Sequence, residues 1–103
     1  MKSNDLLTTL AEPRRQQILQ LIWNSELAAG EIAANTDVTF GAVSQHLRIL
    51  REAGAVSMTK RGRHHFYVAN KPALGSLAEY FESLWSTHLV RLKHLAEAEE
   101  QTP

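Results

Sequence analysis

The sequence has 103 residues, 44% of them hydrophobic, with 11 basic and 11 acidic side chains and no cysteine. This length fits one compact domain over residues 1–103, and the lack of cysteine excludes disulfides, thiolate nucleophiles and thiolate metal sites. No apolar run approaches the roughly 18 residues of a membrane span, and the first residues lack the apolar core of a secretion signal, so we expect a soluble, cytoplasmic protein.

Hydrophobic periodicity predicts three short helices in the first part of the chain, over residues 4–10, 13–23 and 28–35. Pro13 suits the first position of the second helix, because its missing N–H would have no helical partner there. A fourth helix is predicted over residues 40–53, with Thr39 as its N-cap and Gly54 as its C-terminal cap. The apolar seam of this helix is Val43, Leu47 and Leu50.

Two runs of β-forming residues, 56–60 and 64–68, follow the fourth helix, and Arg61-Gly62-Arg63 lies between them. This pattern predicts a hairpin with glycine at its tip. A long final helix is then expected over residues 73–98. The order of elements is typical of a mostly α-helical winged helix-turn-helix domain with four helices, a two-stranded wing and a long fifth helix.

The charges are unevenly distributed along the chain although they sum to zero. Residues 41–71 carry six basic side chains and one acid, Glu52, which gives a net charge of +5, whereas residues 72–103 carry a net charge of −3. A basic segment inside a neutral protein points to double-stranded DNA as a partner. The alternative is an ordinary solvated basic face.

The outward face of the fourth helix has the types of side chain that read DNA bases. When the seam is buried, Ser44, Gln45 and Arg48 point outward, and these residue types bond to base edges in the major groove. Gly41 and Ala42 are small enough to let the N-terminus of the helix approach the duplex, where its free N–H groups suit a phosphate. We expect DNA contacts from Thr39, Gly41, Ala42, Ser44, Gln45, His46 and Arg48.

The tip of the predicted hairpin is basic. We expect it to touch the DNA backbone or the minor groove through Lys60, Arg61, Arg63 and His64. Such contacts supply the salt-dependent, sequence-independent part of the affinity. Because a charged β-turn is common in soluble proteins, the tip supports DNA binding only in combination with the helix face.

Nearly the whole chain resembles the ArsR family of bacterial repressors. The similarity lies in LAEPRRQQIL (residues 10–19), GEIA (30–33), VSQHLRILREAGAV (43–56) and RGRHHFY (61–67). The resemblance implies a homodimeric repressor that binds an inverted-repeat operator near a promoter, with DNA contacts from the fourth helix and the wing. It leaves open which effector, if any, ends repression.

Many ArsR-type repressors release DNA when a metal binds, but this sequence departs from both of their site types. Thiolate sites need cysteine. Sites on the last helix need an Asp-x-His pair followed ten residues later by His-x-x-Glu or His-x-x-His. His94 and Glu97 match the second half, whereas Phe81 and Ser83 occupy the first half and cannot ligate in that role. We predict no metal site and no cofactor, and leave open a histidine site formed across a dimer.

The predicted final helix is rich in large apolar side chains for a chain of this size. Some must cover the domain's own core, and the remainder, with the leucines of the first helix, would expose a patch that needs a partner. The alternative is a monomer whose last helix only wraps the core. We expect a homodimer with an interface formed by Leu6, Leu7, Leu10, Leu77, Tyr80, Phe81, Leu84, Trp85, Leu89 and Leu92. Such a dimer can place two recognition helices one DNA turn apart, roughly 34 Å.

Two other functions are less favoured by the sequence than DNA binding. A winged helix can act as a protein-interaction module without DNA binding, since a fold does not determine function; the basic helix face argues against this. Enzymatic activity is not predicted. Glu79 and Glu82 are close enough on a helix to pair, but nothing in the sequence suggests a cleft, nucleophile or phosphate loop around them.

Overall fold

A computed structural model describes residues 2–85 of the chain. The elements in chain order are α1 (Lys2–Leu10), α2 (Pro13–Leu21), β1 (Leu27–Ala28), α3 (Ala29–Ala34), α4 (Phe40–Glu52), β2 (Val56–Arg61), β3 (His64–Ala69), α5 (Lys71–Leu74) and α6 (residues 76–85). Within this part of the chain, every helix is too short or too polar to cross a membrane.

The start of α2 is capped by the preceding residue. Pro13 occupies the first turn as predicted, and a side-chain oxygen of Glu12 accepts a hydrogen bond of 3.0 Å from the backbone N–H of Arg15. Desolvation raises the pKa of Glu12, but the hydrogen bonds from the backbone N–H groups of Arg15 and Arg14 lower it. The lowering prevails, so the pKa lies below its usual value. The ionised carboxylate is also the form that the positive end of a helix dipole stabilises.

Both ends of α4 have the caps that the sequence predicts. The hydroxyl oxygen of Thr39 accepts a 3.2 Å hydrogen bond from the N–H of Ala42. At the other end, the N–H groups of Gly54 and Ala55 donate 2.9 Å bonds to the carbonyls of Arg51 and Leu50, which is the Schellman arrangement. The helix is therefore defined to within one residue at each end by local hydrogen bonds.

The β-structure is larger than the predicted two-stranded wing. β2 and β3 form the expected antiparallel hairpin, and the tip is a two-residue turn with Gly62 at a φ of +62° in its first central position. The short strand β1 adds to the other edge of β3 and pairs Leu27 with Tyr67, so the sheet has the order β1-β3-β2. β1 leads directly into α3, so the wing is hydrogen-bonded to the helix-turn-helix.

The prediction of one unbroken helix over residues 73–98 is wrong at its start. Helix α5 begins at Lys71, before Pro72, and ends at Leu74; Gly75 then takes a φ of +58°, and helical structure resumes at residue 76. A positive φ interrupts the helical backbone, and only glycine adopts it at low cost. Residues 86–98 of the predicted helix lie outside the described residues.

The core lies where α2, α3, α4 and the sheet meet, and it extends toward α6. Its buried apolar residues are Leu10, Ile18, Leu19, Ile22, Trp23, Ile32, Val43, Leu47, Leu50, Ala55, Val56, Leu74, Phe81 and Trp85. Trp23 connects the main core with the part near α6, because its ring packs edge-on against Trp85 and its indole N–H donates to the carboxylate of Glu82. This packing presents the opposite side of α4 to solvent.

Candidate nucleic-acid interface

The outward face of α4 is assembled as the apolar spacing predicts. Val43, Leu47 and Leu50 are buried, and Gly41, Ser44, Gln45 and Arg48 are exposed on the other side of the helix. Ala42 lies half-buried beside Gly41. The three polar side chains stand about one helical turn or less apart, so all three can reach the edges of neighbouring base pairs.

Arg48 is paired within its own helix. Its Nε lies 3.4 Å from a carboxylate oxygen of Glu52, one turn further along, and the two side chains are 77% and 68% exposed. A pair this exposed contributes little to stability, because water screens the charges and both side chains lose rotamer freedom. Arg48 can therefore exchange Glu52 for a base or phosphate at small cost.

His46 is oriented differently from its neighbours on α4. It is half-buried, and its Nδ1 lies 3.4 Å from a guanidinium nitrogen of Arg15 on α2. The Nε of Arg15 in turn donates a 2.8 Å bond to the carbonyl of Thr9. His46 thus links α4 to the corner between α1 and α2, and its Nε2 is the ring nitrogen that remains for a DNA contact.

The basic residues of the wing do not all have the same surroundings. Arg61 adjoins the turn of the wing, but its side chain folds back onto the sheet: a guanidinium nitrogen lies 2.6 Å from a carboxylate oxygen of Glu26, and the guanidinium carbon lies 4.2 Å from the centre of the Phe66 ring. Lys60, Arg63 and His64 are exposed, and among the side chains of residues 6–85 neither Lys60 nor Arg63 has an ion-pair partner. The structure thus separates the arginine that stabilises the wing from the cations that project from it.

A groove of about 640 Å³ lies between the wing and the start of α4. Its lining includes Gly30, Phe40, Ser44, Arg63, His64 and Tyr67. The recognition-helix face and the wing tip therefore border one continuous concave surface, which we call the α4–wing groove.

Acidic side chains near this surface are engaged by the protein itself. Glu31 accepts a 2.9 Å bond from the N–H of Ala28, and Asp37 pairs with Arg14. Glu26 and Glu52 hold Arg61 and Arg48, as described above. Such pairing reduces the repulsion that an approaching polyanion would meet.

Sequence reasoning missed Phe40 as a site residue. It is the first residue of α4, its side chain is 58% exposed, and it lines the α4–wing groove. The spacing gave no signal for this role, because Phe40 lies three residues before Val43 and seven before Leu47 and so continues the apolar seam, which predicts a buried side chain.

The residues predicted for a dimer interface fall into separate groups. Leu10, Phe81 and Trp85 are buried in the chain's own core, and Leu6 and Leu77 are half-buried against it. Leu7, Tyr80 and Leu84 are exposed. Leu89 and Leu92 lie outside the described residues, as do His94 and Glu97 of the metal-site comparison.

Comparison with known proteins gives consistent matches. A family model described as "Bacterial regulatory protein, arsR family" matches residues 12–57. The transcriptional activator HlyU of Vibrio cholerae is 32% identical over 80 residues, which cover 78% of this chain and 74% of that protein. The transcriptional repressor SdpR of Bacillus subtilis is 30% identical over 71 residues, which cover 69% of this chain and 79% of that protein.

Solved structures show the same fold. A structure of HlyU from Vibrio cholerae superposes with a TM-score of 0.72 and covers 82% of this chain and 92% of that one. A possible ArsR-family regulator from Mycobacterium bovis, described as a homodimeric winged helix-turn-helix DNA-binding domain, has a TM-score of 0.69 at 27% identity and covers 90% of this chain and 83% of that one. The winged helix-turn-helix architecture is therefore confirmed, with the third strand and the break at Gly75 as corrections.

Proposed function

Because the chain belongs to the ArsR family of bacterial transcriptional regulators, we propose that it is a sequence-specific repressor that binds an inverted-repeat operator as a homodimer. Family membership confirms the resemblance drawn from the sequence motifs and makes the chain a transcriptional regulator rather than an enzyme. The observation that carries the proposal is the exposed, hydrogen-bonding face of α4 beside a wing with projecting cations.

The two surfaces have different roles in this proposal. Ser44, Gln45 and Arg48 enter the major groove and read base edges, while the N-terminal turn at Gly41 and Ala42 approaches a phosphate. Lys60, Arg63 and His64 neutralise the adjacent backbone. Thr39 acts chiefly by capping α4, and Arg61 by holding the wing, so both support the DNA contacts through the position of other residues.

Dimerisation is proposed from exposed apolar residues. Leu7, Tyr80 and Leu84 remain exposed after the chain's own core is filled, and the Mycobacterium bovis structure is of a homodimeric domain. A two-fold pair would present two α4 helices to successive major grooves, which matches an inverted repeat.

Selection of bound sites from random DNA tests this function directly. We expect an inverted repeat, bound with a log–log salt slope of about −5 to −9 per dimer. A bound sequence without two-fold symmetry would contradict the homodimer. No retained DNA at low salt would contradict DNA binding and favour the protein-interaction module. A reporter gene placed behind the selected site distinguishes repression from activation.

The wing tip gives a more specific prediction. Arg63→Ala removes one projecting cation from each subunit, so we expect binding to all DNA sequences to weaken similarly and the salt slope to become shallower by about 2 per dimer. The measurement is a series of titrations of the selected operator and an unrelated duplex at several salt concentrations. Arg63→Lys keeps the charge and should keep the slope. A change confined to one operator position would contradict the backbone role.

A further inference from the structure

Phe40 is a large apolar side chain that the fold does not use. It is 58% exposed although it begins α4, and it is not part of the apolar core formed by the described residues. Exposure of a phenyl ring to water is unfavourable in proportion to its apolar area. A partner that covers the ring would therefore gain binding free energy.

The position of Phe40 restricts what that partner can be. The ring borders the α4–wing groove together with Ser44 and Arg63, and Gly41 beside it adds no side chain that would hold a ligand away. The groove also contains Glu31, whose carboxylate accepts a backbone hydrogen bond, so the ring has mainly polar, basic and hydrogen-bonded groups around it, and the N–H groups of the first turn of α4 lie close by. The centre of a protein–protein interface is instead depleted of charge.

We propose that Phe40 recognises thymine, by packing its ring against the C5-methyl group in the major groove; the inference rests on the DNA-binding function proposed above. The first residues of a recognition helix are those that contact base edges. The C5-methyl group is the apolar feature that distinguishes thymine in the major groove, and phenylalanine is one of the side chains that contact it. Ser44, one turn further along, would then bond to a neighbouring base.

The experiment uses the operator selected from random DNA. Each thymine is replaced in turn by uracil, which differs only by the missing methyl group, and the dissociation constants of the wild-type protein are measured. We expect uracil to weaken binding about fourfold at one thymine of each half-site, the change that burial of a single carbon group supplies. The other thymines should tolerate uracil.

Variants at position 40 assign the effect to this side chain. Phe40→Ala should bind the thymine and uracil operators equally, with the affinity that the wild type has for uracil, whereas Phe40→Leu should retain part of the preference. Far-UV circular dichroism checks that both variants fold. The thymine contact is overturned, while DNA binding stands, if the wild type binds its operator but tolerates uracil at every position. It is also overturned if Phe40→Ala binds both operators more weakly by the same factor, so that the preference for thymine over uracil remains. If no DNA is selected at all, the proposed function fails first.

Discussion

Replacing Arg48 by alanine is expected to remove discrimination at one base pair of each half-site, at a cost of about 1–3 kcal/mol in operator binding. Arg48 is the exposed cation nearest the N-terminal half of α4, and arginine bonds to guanine through two parallel hydrogen bonds. The measurement is a titration of the selected operator and of variants in which each position is changed in turn. The Arg48→Ala protein should lose its base preference at one position of each half-site and keep it at the other positions.

Arg51→Ala is the matched control for Arg48, because it removes the same charge from an exposed position on the same helix. It lies in the last turn of α4, away from the N-terminal half that enters the groove. Its effect should be smaller and equal for all sequences. Glu52→Gln releases Arg48 from its intrahelical pair and should not weaken binding. Equal losses for Arg48→Ala at every operator position would place Arg48 on the backbone rather than on a base.

The second large effect is on stability. Leu47→Ala should lower the free energy of unfolding by about 2–5 kcal/mol, because Leu47 is only 1% exposed and its truncation leaves a cavity between α4 and the core. This is a large part of the roughly 5–15 kcal/mol that stabilises a typical domain. Urea denaturation at a fixed protein concentration measures the change, since a dimer makes the midpoint depend on concentration.

Ile49→Ala is the comparison variant for Leu47, since Ile49 is an apolar residue of the same helix that is only half-buried. It should cost less, and the midpoint of its transition should lie between those of the wild type and Leu47→Ala. A loss below about 1 kcal/mol for Leu47→Ala would contradict the burial of this face. Because Leu47 does not face the groove, Leu47→Ala should change DNA affinity only through the fraction of folded protein.

Features that depend on neighbouring residues were predictable from the sequence. Thr39 and Gly54 cap α4 because the groups they engage lie within a few residues, and Gly62 forms the wing turn for the same reason. The outward face of α4 followed from the spacing of its buried seam. In each case one short stretch of chain contains both partners of the interaction.

Features that depend on distant residues were not predictable. The strand β1 has only two residues, and it forms because Leu27 meets Tyr67 of the wing, far along the chain. Arg61 and Arg63 differ in their surroundings because Arg61 pairs with Glu26, which is distant in sequence and which no local pattern associates with Arg61. The interruption at Gly75 was missed for another reason: a single glycine is tolerated within a helical pattern, and the apolar spacing continues beyond it.

The three-stranded sheet has a consequence for how operators of different length could be accommodated. Since β1 pairs with β3 and leads directly into α3, which packs against α4, the wing and α4 are held in one rigid arrangement. The Glu26–Arg61 pair adds a second connection at the same place. In the proposed homodimer, the footprint of each subunit on its half-site would therefore be set by its own fold, and a change in the separation between half-sites would require the two subunits to rotate relative to each other.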